Sequence, residues 1–236
     1  MTSSLQYNDD IVFSRNYQKH IVTSEIHSLD ISVHAADFTI SYSDTFYIES
    51  DLKNLSISES NGILTVVDKT KFHINATPRL RLFIPNNRVF QNVNITTGAG
   101  ALTVASLSAI FMNIKLGAGP AQFMNLNAQA TAFIKGGAGV ITINSGIFNN
   151  LTLHLGVGNL NMASTLLGTN NLKLGIGATN LTLIGRRDNY ILDVKKGIGA
   201  ININDNNVPV SANTPIVPSY VNIIGSIGSA NITFQG

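Results

Sequence analysis

The sequence predicts an all-β protein built as a β-solenoid, with about 19–20 residues in each coil. The first supporting observation is a Gly-x-Gly phrase that starts at Gly98, Gly117, Gly137, Gly156, Gly175 and Gly197, in steps of 19, 20, 19, 19 and 22 residues. The second is the alternation of apolar and polar residues along most of the chain, which is typical of half-buried strands. The third is a charged content of 12%, about half of the usual ~25%. Stacked strands with Ser, Thr and Asn on their outer faces would explain this low charge.

Length and composition set further limits. The chain has 236 residues and is 44% apolar, which is enough for a sizeable core in one continuous domain. A net charge of +2 is too small to indicate nucleic-acid binding, and the absence of Cys excludes disulfides and thiolate metal sites. The chain shows no signal peptide and no apolar run of transmembrane length. As written, it is therefore expected to be soluble and cytoplasmic.

The first part of the chain is predicted to be less regular than the rest. Residues 1–28 are polar and mixed, and we expect an N-terminal arm or cap with short strands at residues 11–13 and 21–22. Residues 29–95 are expected to form irregular, β-rich first coils, because apolar and polar residues alternate in several short segments. Ten of the thirteen acidic residues lie before residue 96, so the charge character changes there.

Residues 96–236 are predicted to form the regular solenoid. In each repeat the middle residue of Gly-x-Gly continues the alternation of the preceding strand, so Ala118, Ala138, Val157, Ile176 and Ile198 are expected to point inward. The alternation then slips by one residue, which reverses every later side chain. A corner at the second glycine can absorb this slip, because glycine tolerates unusual values of φ. The predicted structural corners are Gly100, Gly119, Gly139, Gly158, Gly177, Gly199 and Gly228.

The end of the chain and its many Asn residues lead to further expectations. Residues 204–219 contain three prolines and are expected to leave the stack as a loop. Residues 226–234 repeat the pattern of residues 175–183, which predicts a seventh, final coil. We expect the N-terminal arm and the loop to help cover the ends of the stack, because exposed coil edges promote aggregation. The Asn residues near the turns either form hydrogen-bonded ladders along the stack or simply suit turns.

Together these segments resemble a known family. The matching features are residues 29–31 and 37–40, residues 62–66 and 82–85, the repeated Gly-x-Gly strands, and Ile232-Thr233-Phe234 near the end. The pattern is similar to the bacterial domain of unknown function labelled "putative adhesin", a toastrack-like β-solenoid, over roughly residues 25–236. The resemblance implies a single-stranded, right-handed β-helix with cell-surface or envelope-stress roles. It carries over no catalytic residues.

The sequence offers no motif for a cofactor or a metal. A dinucleotide-binding loop needs a third glycine and a following helix, whereas a strand follows each Gly-x-Gly here. His27, Asp30, His34 and Asp37 have ligand-like spacing, but no second cluster accompanies them, and we expect ordinary exposed side chains. Between residues 96 and 183 there is no Asp or Glu, which argues against general acid–base catalysis in the repeats.

Three acidic residues follow the repeats. They are Asp188, Asp193 and Asp205, with Arg186 and Arg187 close to the first of them. We expect all three to be solvated turn charges rather than catalytic groups.

A row of basic residues is the main candidate binding feature. Lys115, Lys135, His154 and Lys173 recur at spacings of 20, 19 and 19 residues, which predicts a surface-binding stripe on one outer face. The stripe could contact an anionic surface such as a teichoic acid or a lipid headgroup, or it could be a solubilising row that discourages edge pairing. Either interpretation is compatible with the fold.

The most consistent functional hypothesis is a non-enzymatic, adhesin-like binding or scaffold module of the bacterial cell envelope. Its expected partner is a protein or an envelope surface, and no cofactor or nucleic acid is expected. The alternative is an envelope-stress-linked regulatory or structural protein that acts through protein–protein contacts, including self-association. A carbohydrate-active enzyme is the third class.

Overall fold

The computed structural model describes residues 16–69, 77–204, 218–225 and 227–236. These residues form 22 strands in one continuous sheet and a single 3-10 turn at Arg187–Asn189. The predicted all-β solenoid is confirmed. The strands are β1 Gln18–Ile21, β2 Ser28–Ala35, β3 Asp37–Tyr42, β4 Tyr47–Ser50, β5 Leu55–Ser60, β6 Ile63–Asp68, β7 Arg79–Ile84, β8 Val89–Ala99, β9 Leu102–Val104, β10 Leu107–Lys115, β11 Ala121–Phe123, β12 Leu126–Lys135, β13 Ile141–Ile143, β14 Gly146–Asn149, β15 Leu151–His154, β16 Leu160–Leu167, β17 Thr169–Lys173, β18 Ile176–Ile184, β19 Tyr190–Lys195, β20 Ile198–Asn204, β21 Ser219–Ile224 and β22 Ile227–Gln235.

Two long parallel ladders run along the stack, one on each side of the Gly-x-Gly corners. The ladder before the corners has the order β6–β2–β8–β10–β12–β15–β17–β21–β19. The ladder after the corners has the order β7–β3–β9–β11–β13–β16–β18–β22–β20. Equivalent residues of neighbouring coils are therefore hydrogen-bonded neighbours, and the period of the sequence becomes a straight column of side chains.

The core consists of such columns. In the ladder before the corners, one buried column contains Ile95, Ile114, Ile134, Leu153, Leu172 and Ile223 in register. Each fully buried Leu or Ile contributes roughly 1.5–3 kcal/mol through removal of apolar surface from water. The stacked columns are therefore the main source of stability.

The order of the coils in space differs from their order in the sequence. The coil of β21 and β22 lies between the coil of β17 and β18 and the coil of β19 and β20. The predicted seventh coil is present as the last coil in sequence, but it is not the outermost coil in space. Coils of one repeat pattern present the same register, so the sequence pattern does not specify which of them is outermost. The spatial order also departs from the sequence order near the N-terminus. There β2 lies between β6 and β8, and β3 lies between β7 and β9.

The two ends of the stack differ in the part of the chain that the structure describes. At the N-terminal end, β4 pairs antiparallel with β7, β5 with β6, and β1 with β4. At the other end, β19 pairs with β21 and β20 pairs with β22, and neither has a second partner among the described residues. Residues 1–15, with the strand expected at 11–13, and residues 205–217 lie outside the described ranges, so the covering roles of the N-terminal arm and of the 204–219 loop stay predictions.

Candidate surface-binding site

The corners bring neighbouring coils into close backbone contact. The seven predicted corner glycines have φ between 119° and 143°, a region that side chains disfavour. At Gly158 the backbone N–H donates to the carbonyl oxygen of Ile176 at 2.8 Å, and Val157 N–H donates to that of Gly137 at 2.8 Å. A Cβ added at Gly158 would collide with the carbonyl oxygen of Gly139. The corner therefore has both an unusual conformation and no space for a side chain.

The middle residue of each Gly-x-Gly points outward, so the prediction that it points inward is wrong. Val157 is 56% exposed, Ile176 is 47% exposed and Ile198 is 74% exposed, and Ala118 and Ala138 are also exposed. The prediction assumed that the strand continues into the glycines. Instead, the alternation holds as far as Leu116 and Leu174, which are buried, and the change of facing falls at the first glycine, before the middle residue.

These middle residues form one continuous line, which we call the apolar ridge. Consecutive members are bridged across neighbouring coils, and their size grows from Ala at one end to Ile at the other. With about 4.8 Å between strands, the ridge is roughly 29 Å long. Its members, in spatial order, are Ala99, Ala118, Ala138, Val157, Ile176, Ile227 and Ile198.

The predicted basic stripe also forms a line. Lys115 is the register partner of Lys135, Lys135 of His154, and His154 of Lys173, so the four residues occupy consecutive coils. The three lysines are exposed. His154 is half-buried and packs edge-on against the ring of Phe133, with the ring centroids 5.6 Å apart. The stripe is thus made by the lysines, with His154 partly withdrawn.

The structure adds Lys195 to this row. Lys173 pairs with Ile224, and Ile224 pairs with Lys195, because the coil of β21 and β22 lies between them. Sequence reasoning missed Lys195, which follows Lys173 by 22 residues instead of 19 or 20. A signal was present, since Lys195 precedes Gly197 by two positions, as Lys115 precedes Gly117.

The stripe and the apolar ridge run side by side. Each stripe residue stands three positions before a ridge residue, as in Lys115 and Ala118, Lys173 and Ile176, or Lys195 and Ile198. Residues 96–204 contain seven Lys and Arg against two Asp, a net charge of +5 in a protein whose total is +2. This corner is therefore both basic and apolar.

An asparagine ladder flanks the ridge on its other side. Asn180 donates to Asn161 at 2.9 Å, Asn231 to Asn180 at 3.2 Å, and Asn202 to Asn231 at 3.0 Å, in each case from the side-chain amide to the side-chain oxygen. The ladder interpretation holds for these four residues. Their amide groups are largely occupied by one another.

The other sequence candidates do not assemble into a chemical site. Among the described residues, no group of three or more His, Asp or Glu side chains could hold a metal ion. Asp37 accepts a hydrogen bond from Ala101 N–H at 3.1 Å. Asp188 lies 3.4 Å from Arg186, and Asp193 accepts a hydrogen bond from the Tyr220 hydroxyl, which raises the pKa of Tyr220. Asp205 lies outside the described residues.

A separate pocket of about 200 Å³ lies where the first coils meet the repeats. Its walls include Tyr42, Arg88, Asn125 and Asn127. Arg88 donates to the carbonyl oxygen of Ile26 and lies over the rings of Phe46 and Phe90, so its role is structural. The two Asn side chains donate to Ser106 and Ser108 at 3.2 Å each. Sequence reasoning did not find this pocket, because its walls come from distant segments.

The fold and its surface define a parallel β-solenoid with a basic, apolar corner. No helix in the described part of the chain is long and apolar enough to cross a membrane. No protein-family model and no curated protein sequence matches the chain.

Several solved structures are similar in fold. A "putative adhesin" from Parabacteroides distasonis is 15% identical, with a TM-score of 0.51 over 92% of this chain and 96% of that one. A "putative adhesin" from Bacteroides fragilis is 9% identical, with a TM-score of 0.48 over 94% and 98%. A "putative cell adhesion protein" from Clostridium sporogenes is 14% identical, with a TM-score of 0.40 over 93% and 99%. At this identity the Parabacteroides structure shows a shared fold.

Proposed function

We propose that the chain is a non-enzymatic, adhesin-like binding or scaffold module of the bacterial cell envelope that presents its lysine stripe to an anionic surface. The observation that carries the proposal is the register of Lys115, Lys135, His154 and Lys173 in consecutive coils. The shared fold with the Parabacteroides structure, which is named a "putative adhesin", supports the envelope assignment.

Repulsion between the lysines of the stripe lowers the stability of the unbound protein. Lys115 and Lys135 are direct neighbours across the ladder, where like charges destabilise a sheet. Two unit charges about 4 Å apart repel by about 1 kcal/mol even in water, although flexible lysine side chains relieve part of this by spreading apart. No Asp or Glu occurs between residues 96 and 183 to offset the repulsion. An anionic partner would supply the missing negative charge.

A triple variant tests this function. In Lys115→Gln, Lys135→Gln, Lys173→Gln, we expect binding to isolated cell walls that carry teichoic acid to fall at least tenfold, and the salt dependence of binding to decrease. The control is Lys53→Gln, Lys69→Gln, which removes two charges from the first coils and should bind as the wild type does. Wall binding that survives the triple change would contradict the proposal.

In the described part of the chain the terminal coil has an open edge, which favours a second candidate, a structural or regulatory protein that acts through protein–protein contacts. Among the described residues β20 pairs with β22 alone, and it exposes Ile198 and Ile203. Such an edge can accept a further strand from another chain. Light scattering across a range of protein concentrations measures self-association, and a monomer at every concentration would contradict that form of the second function.

A further inference from the structure

The large side chains of the apolar ridge have no role inside the fold. The corner at Ala138 and the corner at Ile176 make equivalent backbone hydrogen bonds, at 2.8 Å and 2.9 Å to the first glycine of the previous coil. Alanine is therefore large enough for the corner to form. The larger side chains only add apolar surface that stays about half exposed or more, at Val157, Ile176, Ile227 and Ile198. A continuous exposed apolar line of this kind marks a contact surface.

The shape of the ridge limits what can cover it. It is a single row of side chains, one from each of seven coils, whereas a standard protein interface buries roughly 800 Å² per partner. A fluid surface can close around such a row without needing a complementary groove.

The charges beside the ridge specify the surface further. Lys173 and Lys195 each stand three positions before a ridge isoleucine, and Lys135 and Lys115 extend the row beside the alanines. A row of cations parallel to a row of branched aliphatic side chains matches an anionic bilayer, which has negative headgroups above an apolar interior. Long lysine side chains can reach headgroups while the neighbouring apolar residues enter the acyl boundary.

We propose that this corner docks on an anionic lipid bilayer, with Val157, Ile176, Ile227 and Ile198 inserted at the acyl boundary and Lys135, Lys173 and Lys195 bound to headgroups. The inference rests on the proposed function, because it assigns a lipid surface to the same stripe. It adds the apolar ridge as the part that distinguishes a bilayer from a soluble anionic polymer.

Vesicle sedimentation tests the ridge directly. The protein is mixed with phosphatidylcholine vesicles that either contain or lack phosphatidylglycerol, and we expect binding to the anionic vesicles. Ile176→Ser and Ile198→Ser should each weaken that binding by about five- to tenfold, since each loses the burial of roughly half an aliphatic side chain or more. Ile147→Ser is the matched control, because Ile147 is 52% exposed on β14, away from the ridge, and it should not change binding.

Two further variants are expected to give a gain of signal instead of a loss. Ala138→Ile adds a fifth large aliphatic side chain to the ridge, next to Val157, and should strengthen vesicle binding. The chain has no Trp, so Ile198→Trp supplies a single tryptophan, whose emission should shift to the blue on anionic vesicles as the indole leaves water.

The outcomes separate this inference from the proposed function. If the lysine triple variant loses binding to walls while the ridge variants bind vesicles like the wild type and Ile198→Trp shows no shift, bilayer insertion is overturned and surface binding stands. If the wild type binds neither walls nor anionic vesicles, the proposed function fails as well. If ridge variants alter the oligomeric state but not vesicle binding, the occupant is a second copy and the inference is again overturned.

Discussion

At the scale of single residues, the corner glycines fix how closely the coils stack. Gly158 combines a φ of 139° with a site where an added Cβ would meet the backbone of Gly139. The colliding atoms are backbone atoms in a hydrogen-bonded column, so they cannot move aside without breaking the stack. These glycines therefore determine shape, and the neighbouring middle residues are free to vary in size.

We expect Gly158→Val to destabilise the protein by about 3 kcal/mol or more, because a strained backbone and a backbone clash add together. A shift of the midpoint in chemical denaturation measures the effect. Val157→Ala is the matched control at the same corner, and it should change stability little because its side chain lies outside the core. Equal stability of Gly158→Val and the wild type would refute the assigned corner geometry.

At the scale of elements, Glu59 of β5 fixes the segment that follows β1. Its carboxylate accepts hydrogen bonds from His20 at 2.8 Å, Ser24 N–H at 2.7 Å and Thr23 N–H at 3.1 Å. Burial alone would raise the pKa of Glu59, but these hydrogen bonds outweigh burial and lower the pKa from 4.5 to about 2. A single carboxylate thereby holds the N-terminal strand against the first hairpin.

The sign of the pH effect follows from the lowered pKa. Since Glu59 binds a proton more readily in the unfolded chain, its contribution to stability is present above pH 4.5 and is lost as the pH falls towards 2. We expect Glu59→Gln to be less stable than the wild type at neutral pH, and the difference to shrink through this window in thermal melts. Glu49→Gln serves as the control, because its 4.0 Å contact with the half-exposed Lys19 is weak. A pH-independent difference would contradict this role.

The strands were largely predictable from the sequence. The direction in which the middle residue of each Gly-x-Gly points was not. Period-2 alternation and the 19–20-residue repeat together indicate which residues stack, so the columns and the register of Lys115 with Lys135 follow from spacing alone. The orientation of Val157 and Ile176 depends on which of the two glycines changes the facing of the chain, and alternation does not encode this. The basic stripe was accordingly predicted, whereas the ridge beside it emerged from the structure.

At the scale of the whole molecule, the outermost coils in space are not the outermost in sequence. The coil of β19 and β20 comes first in the sequence. The coil of β21 and β22 follows in the sequence, but in space it lies between the coil of β17 and β18 and the coil of β19 and β20. In the described part of the chain, β19 and β20 form strand pairs with the two long ladders only through this last coil, and the Tyr190 hydroxyl of β19 donates a hydrogen bond to Ile184 of β18. The C-terminal coil is thus an internal layer on which an earlier segment depends.

This dependence predicts the effect of truncation. Ending the chain after residue 204 should release residues 190–204 as well, because β19 and β20 lose the strands with which they pair. Hydrogen exchange and limited proteolysis should show these residues unprotected, while residues 107–173 remain protected by their own neighbouring coils. A chain ended after residue 189 is the control, and its protection pattern up to residue 173 should match that of the longer truncation. If residues 190–204 instead stay protected without the last coil, they pair with β17 and β18 in the shortened chain, and their predicted dependence on the last coil is contradicted.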